Sequence, residues 1–151
     1  MTALAEKVTF RVPGLPAPKG SRTVGHRRDG GAYTRPAADG EKAWTDAVAL
    51  VARSHRPTGE PLPPAYAVGL TFALPRSARP SHPHPTRVDL DKLIRGVLDG
   101  LTRGGLIVDD RHVTHLVAAK RWAERPGEEG VAVTVQPMPE GGWVNESGRE
   151  D

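Results

Sequence analysis

Two pairs of aspartates stand on either side of one amphipathic segment in the middle of the chain. Asp89 and Asp91 precede its apolar residues, and Asp109 and Asp110 follow it after a glycine pair and an apolar tripeptide. Hard divalent cations such as Mg²⁺ are bound by a few carboxylates together with water and substrate phosphate. Because the chain carries a net charge of +3, the pattern favours a metal site for phosphodiester chemistry.

Each of these acids also has an ordinary structural role open to it. A single Asp before a helix commonly acts as its N-cap, which is the alternative role of Asp89. Type I turns favour Asp, so Asp109 or Asp110 could instead be a solvated turn residue. The combination of two acids before the helix, two after it and an apolar stripe that fixes their geometry favours the metal site.

The helix between the acid pairs is predicted from its hydrophobic spacing. Apolar residues recur from Leu93 to Leu101 at i, i+1, i+4, i+5 and i+8, which is a stripe that must face a core. Asp91, Arg95 and Asp99 fall at spacings of four on the opposite face. A glycine pair then ends the helix, and the following apolar tripeptide is predicted to be a short strand or turn.

A second helix and four strands complete a predicted α+β fold. The helix is expected from Asp39 or Gly40 to about Ser54, with Asp39 as its cap. Alternating or β-branched segments predict strands over 8–12, 66–74, 113–122 and 131–135, the last as a hairpin partner of the one before it. We expect one domain over 1–136, built as a small mixed β-sheet with two main helices, and a disordered Pro/Gly/Glu-rich tail over 137–151.

The segment 13–38 is predicted to be a long basic loop. Residues 7–35 hold seven Lys and Arg against one acid, Asp29. Such an asymmetry suits a polyanionic partner, and a solvated flexible loop is the alternative that charge alone does not exclude. Because irregular loops of this length in compact domains are usually functional or disordered, a substrate-contacting arm is favoured.

Composition excludes several other classes of protein. The chain has no cysteine, which excludes disulfides, thiolate metal sites and cysteine nucleophiles and fits a reducing cytosol. No leader pattern and no run of about 20 apolar residues is present, so we expect a soluble, cytoplasmic protein without a membrane partner.

Histidines and tryptophans receive structural interpretations. A zinc site from His82, His84, His112 and His115 is disfavoured, because the first pair lies in a Pro-rich loop and the second has no helix to align it. The indoles of Trp44 and Trp122 are expected to pack in the core or at a subunit interface rather than to stack on bases.

The central motif resembles the RusA family of Holliday-junction resolvases. The resemblance rests on Asp89-Leu-Asp91, the helical run from Leu93 to Thr102, and the downstream Asp109-Asp110 with Val113 and Lys120 after it. The early segment Leu15-Pro-Ala-Pro-Lys-Gly-Ser21 and the pair Tyr33-Thr34 are similar to the phage-borne branch. The resemblance extends from about residue 8 to 136.

This resemblance implies a homodimeric, Mg²⁺-dependent endonuclease, with Mn²⁺ as a substitute, that nicks two strands of a four-way DNA junction. It implies a bacterial or prophage-encoded protein without a small-molecule cofactor. The implied metal ligands are Asp89, Asp91 and Asp110, with Asp109 as a neighbouring ligand, and the implied catalytic set adds Arg95. Arg95 stands where the family has a lysine, so its positive charge is kept on a planar fork.

Basic residues carry the expected contacts to DNA phosphates, which position the nucleic acid without reading its sequence. The candidates are Lys19, Arg22, Arg27, Arg28, Arg87, Lys92 and Lys120, of which Lys92 stands in place of the family's asparagine. The alternative function is a non-catalytic junction or single-strand binding protein with the same fold. A structural dimer whose aspartates only cap the helix would leave the basic segment unexplained.

Overall fold

The computed structural model describes residues 7–20, 22–26, 32–36 and 38–139, with side chains for 7–20 and 40–139. Its strands are β1 (Val8–Pro13), β2 (Arg22–His26), β3 (Ala32–Pro36), β4 (Tyr66–Leu74), β5 (Val113–Trp122) and β6 (Gly130–Pro137). Its helices are α1 (Ala38–Ser54) and α2 (Leu90–Arg103), and a 3-10 turn covers Asp110–His112.

Four strands form one mixed sheet in the order β1-β6-β4-β5. The strand β6 runs antiparallel to both β1 and β4, whereas β4 and β5 are parallel. The prediction of an α+β fold with a small mixed sheet and two main helices is confirmed. The prediction that β6 forms a hairpin with β5 is wrong, because alternation identifies a strand but not its partner, and β6 lies inside the sheet.

The hydrophobic core lies between one face of this sheet and the two helices. Alternate residues of β1, β4 and β6 are buried on that face, as the register Phe10 to Val133 to Leu70 shows. The predicted stripe of α2 faces this core, with Leu93 and Leu101 fully buried. Alternation along the strands and the helical repeat of α2 therefore meet in a single apolar layer.

The helices α1 and α2 pack unusually closely because three glycines, Gly96, Gly100 and Gly104, are spaced by four along α2. A Cβ atom on Gly100 would lie 2.6 Å from Cγ1 of Val48, and one on Gly104 would lie 2.4 Å from the carbonyl oxygen of Ala49. No larger side chain fits at these positions without moving α1. The glycines thus set the distance between the helices.

The predicted loop over 13–38 contains regular structure. Residues 22–26 and 32–36 pair as the antiparallel hairpin β2–β3, so the expectation of an irregular loop is wrong for these residues. The hairpin is separate from the main sheet, and its short β-branched stretches are masked in the sequence by the surrounding Gly, Pro and Arg. Asp39 lies within α1 rather than before it, because the helix begins at Ala38.

The predicted tail and the predicted absence of a membrane span can be compared with the structure only for the described residues. The tail predicted over 137–151 lies outside them from residue 140 onwards. Neither α1 nor α2, the helices of the described part of the chain, is long and apolar enough to cross a membrane.

Candidate active site

The first acid pair lies at the N-terminus of α2. Asp89 occupies the N-cap position in an extended conformation, but its side chain makes no capping hydrogen bond. Its Oδ2 instead lies 3.4 Å from Nζ of Lys92, and the side chain is 63% exposed. Asp91 lies exposed in the first helical turn. The capping role open to Asp89 is therefore not filled by its carboxylate, which faces solvent beside that of Asp91.

The chain is held in place directly before Asp89. Lys120, half-buried on β5, donates a hydrogen bond from Nζ to the carbonyl oxygen of Val88. Two residues further along the same face of β5, Nε1 of Trp122 donates to the carbonyl oxygen of His82 at 3.0 Å. Lys120, which the resemblance implied to be a DNA contact, thus fixes the backbone at the entrance to α2.

The start of the basic segment runs alongside α2. The backbone N–H of Lys19 donates to the carbonyl oxygen of Lys92 at 3.0 Å, and its Nζ forms an ion pair with Asp99. The carbonyl oxygen of Ala17 comes so close to α2 that a Cβ atom on Gly96 would lie 3.3 Å from it. Asp99 is therefore neutralised by Lys19.

A buried tyrosine holds the second acid pair. The hydroxyl of Tyr66 donates to the carbonyl oxygen of Leu62 at 2.5 Å and accepts from the backbone N–H of Val108 at 3.1 Å. The side chain is fully buried, and this burial raises the pKa of Tyr66 above its ordinary value. Val108 directly precedes Asp109, so Tyr66 fixes the backbone that carries the acids.

The two acids of this second pair have different surroundings. Oδ1 of Asp109 accepts a hydrogen bond from the backbone N–H of Arg111 at 2.9 Å and so caps the 3-10 turn. That bond to the charged carboxylate is the main cause that lowers the pKa of Asp109. Asp110 is exposed at the start of the turn. The neighbouring carboxyl group of Asp110 interacts with that of Asp109 and contributes to this lowering of its pKa.

Asp89 and Asp91 lie at the N-terminus of α2, whereas Asp109 and Asp110 follow its C-terminus in the 3-10 turn, which contacts the helix. Within the described ranges, however, no three His, Asp or Glu side chains come close enough to hold a metal ion together. An all-oxygen donor set suits Mg²⁺, which usually takes only one or two carboxylates and completes its shell with water and substrate phosphate. The acids therefore fit a cation whose shell the substrate helps to complete, rather than a closed protein cage.

Several basic residues lie close in sequence to the N-terminus of α2. Arg87 and Arg95 are exposed on either side of the first turn, and Lys92 is partly exposed within it. Arg22 begins β2, but its side chain lies outside the described part of the structure, as do Arg27 and Arg28 entirely.

Sequence reasoning missed the residues that position the acids. Tyr66 looks like any apolar strand residue, and its partner Val108 is 42 positions away. Trp122, predicted to pack in the core or at an interface, instead donates a hydrogen bond to the carbonyl oxygen of His82. Its position two residues after Lys120, on the same face of one strand, is the only sequence feature that indicates that both side chains bind the segment before α2.

The chain matches the family model described as Endodeoxyribonuclease RusA over residues 13–136, which is most of its length. A comparison with curated proteins gives no match. The matched range contains the mixed sheet from β4 to β6, both helices and all four acids. The chain therefore belongs to the RusA family of endodeoxyribonucleases.

Proposed function

We propose that this protein is a Mg²⁺-dependent endonuclease that cuts four-way DNA junctions by paired nicks and acts as a homodimer. The observation that carries the proposal is the acidic first turn of α2. There, the exposed carboxylate of Asp89 stays out of the helix cap while Lys120 fixes the backbone just before it. A carboxylate serving only stability would be expected to cap the helix.

In the proposed mechanism, Asp89 and Asp91 would hold Mg²⁺ together with oxygens of the scissile phosphate and water, and Asp110 is the third ligand that the family resemblance implies, although the described residues of one chain do not bring the three carboxylates together. When bound, the ion supplies a water of lowered pKa and screens the charge of the phosphate. Arg95 follows Asp91 by one helical turn, and its guanidinium stabilises the negative charge that develops on the phosphoryl oxygens. Asp109 keeps the 3-10 turn closed so that Asp110 stays at the site.

The surrounding cations position the DNA backbone. Arg87 and Lys92 flank the acids and are suited to phosphates close to the cut, and such contacts weaken as salt rises. Lys19 is tied to Asp99, so its share in DNA binding is smaller than its charge suggests.

Paired nicks require two sites, which a twofold dimer supplies. The outer edge of β5 supports this arrangement, because β5 pairs only with β4 in the described part of the sheet. Leu116 and Val117 on this edge strand are exposed large apolar side chains. Exposed edges of this kind are usually covered or paired in native proteins.

The test compares wild type with Asp91→Asn on a synthetic four-way junction and on linear duplex, with Mg²⁺ or with EDTA. We expect Mg²⁺-dependent cleavage of the junction by wild type and a loss of at least about 100-fold in the variant, since metal and charge effects are each worth several kcal/mol. Asp46→Asn is the matched control, because Asp46 is a half-exposed acid on α1 whose ion pairs among the described residues are with Lys42 and Arg103.

Three outcomes contradict parts of the proposal. Junction binding without Mg²⁺-dependent cleavage would identify a binding protein instead of an enzyme. Equal cutting of linear duplex would leave a nuclease without junction preference. Equal losses in Asp91→Asn and Asp46→Asn would show a general folding defect rather than the loss of a metal ligand.

A further inference from the structure

A cavity of ≈ 500 Å³ lies directly before the acidic end of α2. Its walls are largely apolar and include Leu74, Pro85 and Trp122, and Val88, the residue before Asp89, forms part of its edge. This volume falls within the range of about 300–1,000 Å³ typical of small-molecule sites.

Two hydrogen bonds build the cavity. Trp122 and Lys120, on one face of β5, hold the carbonyl oxygens of His82 and Val88, and the chain between these points arches over the end of the strand. The Nε1–H of Trp122 is occupied by this bond, so the orientation of its half-buried ring is fixed. The cavity therefore has one preset aromatic wall.

The charge around the cavity is one-sided. Arg79 and Arg87, both exposed, line it, and no Asp or Glu is among its lining residues. Neither arginine forms an ion pair within the described residues. A fitting ligand thus has a flat apolar body for the walls and negative charge for the rim, and the acids of α2 begin one residue beyond.

We propose that this cavity binds one nucleobase of the DNA strand that is cut, taken out of its stack, while Arg79 and Arg87 hold the phosphates beside it. The inference rests on the proposed nuclease function and adds to it a site for the nucleotide next to the scissile phosphate. Bases stack on aromatic side chains without regard to sequence, and loss of one such stack lowers the affinity by about tenfold or more.

A four-way junction lowers the cost of filling this cavity. Taking a base out of a duplex requires energy for unstacking and unpairing, and that cost is lowest for bases that are already poorly stacked. When the four arms of the junction are held open, the base pairs at the point of strand exchange lack a stacked neighbour on one side. The cavity consequently favours cutting near the branch, because only there does a base enter it cheaply.

The experiment removes the base from the DNA in one set of substrates and fills the cavity of the protein in one variant. A series of four-way junctions carries a single abasic nucleotide at successive positions near the branch, and the affinity in EDTA and the single-turnover cleavage rate in Mg²⁺ are measured. Ser81→Trp fills the cavity from an exposed lining residue outside the acid and cation set. Ser54→Trp, at the exposed end of α1, is the matched control.

For wild type and Ser54→Trp, we expect one abasic position to weaken binding and slow cleavage by about tenfold. Ser81→Trp should lose about the same factor on the intact junction and nothing further on that abasic junction. If wild type cleaves the junctions but no abasic position weakens its binding or cleavage, the base site alone is overturned. The same conclusion follows if an abasic nucleotide lowers binding and cleavage equally in Ser81→Trp and Ser54→Trp. An unchanged Ser81→Trp would also overturn the base site and would point to another occupant, such as a protein segment. Failure of wild type to bind and cut junctions would overturn the proposed function and the base site with it.

Discussion

At the scale of single residues, the basic side chains of this protein differ in whether they have a bonding partner within the fold. Lys120 and Lys19 are bound to Val88 and Asp99, whereas Arg87 and Arg95 form no ion pair among the described residues. Charge in the sequence does not distinguish these roles, because a lysine looks the same whether its partner is a carbonyl oxygen or a phosphate. The exposed arginines are therefore the better candidates for catalysis and DNA binding.

Arg95 allows a direct test of whether charge or shape matters. If the guanidinium only stabilises charge on the phosphoryl oxygens, Arg95→Lys should keep the single-turnover rate within about threefold, whereas Arg95→Ala should lower it by about 100-fold. The matched control is Arg53→Ala, an exposed arginine in the last turn of α1. A loss in Arg95→Lys as large as that in Arg95→Ala would show that the fork geometry is essential.

Tyr66 should couple stability to activity. Tyr66→Phe removes both hydrogen bonds of the hydroxyl, and the buried carbonyl oxygen of Leu62 and N–H of Val108 lose their partner, so we expect a loss of about 1–3 kcal/mol in the free energy of unfolding. Denaturant titration measures this loss. Single-turnover cleavage at a temperature where the variant is folded should also fall, because the backbone before Asp109 is released.

Phe72→Leu is the control for Tyr66→Phe, since it disturbs the same strand in the core without touching Val108. It should lower stability while the cleavage rate of the folded protein stays near wild type. Equal effects of the two changes on the rate would show that Tyr66 is merely a core residue.

Residues close in sequence could be assigned from the sequence, and those joined across the fold could not. The spacing of Asp91 and Arg95 follows from the helical repeat, so their shared face of α2 was predictable. The bond between Tyr66 and Val108 depends on how β4 meets the chain after α2, which no local pattern contains. The hydrogen bond from Lys120 to the carbonyl oxygen of Val88 was equally unpredictable, because the two residues lie 32 positions apart.

At the scale of elements, the close contact of α1 and α2 determines where the acids stand. Gly104→Ala should place a Cβ atom against the backbone of Ala49 and destabilise the protein by about 1–3 kcal/mol, as overpacking in a rigid site does. Thermal or denaturant unfolding measures the change. Gly40 lies at an exposed position of α1 with nothing within 4 Å of an added Cβ atom. Gly40→Ala should therefore leave the free energy of unfolding unchanged or raise it by up to about 1 kcal/mol.

If Gly104→Ala unfolds like wild type, the separation of the helices is softer than their contacts indicate. A loss in Gly40→Ala equal to that in Gly104→Ala would likewise contradict the steric explanation.

Element positions were predictable where one face is buried, and pairing was not. The bounds of β4 agree with the predicted 66–74, because its alternation reports burial directly. The bounds of β5 also agree with the predicted 113–122, although none of its residues is buried. Their parallel pairing depends on α2 crossing between them, and nothing in either strand specifies that partner. The hairpin β2–β3 was missed because its strands are short and lie among Gly, Pro and Arg.

At the scale of the whole molecule, the edge of β5 is the proposed location of the dimer interface. Val117 is 75% exposed there, and Val117→Lys should weaken self-association by at least about tenfold and reduce paired nicking. Sedimentation equilibrium measures the first effect and nicked intermediates report the second. Leu50→Lys, at a side chain 73% exposed on α1, is the control. A Val117→Lys protein that still dimerises like wild type would locate the interface elsewhere.

The position of β6 in the sheet has a consequence for the order of folding. It is the last strand of the described residues, yet it lies between β1 and β4, so a chain that ends before Gly130 lacks the strand through which β1 joins the sheet. During synthesis, β1, α1 and β4 must wait with their apolar faces uncovered until residues 130–137 are made. The sheet is therefore complete only after these residues are made, and a chain truncated before them lacks the central strand of the sheet on which the helices pack.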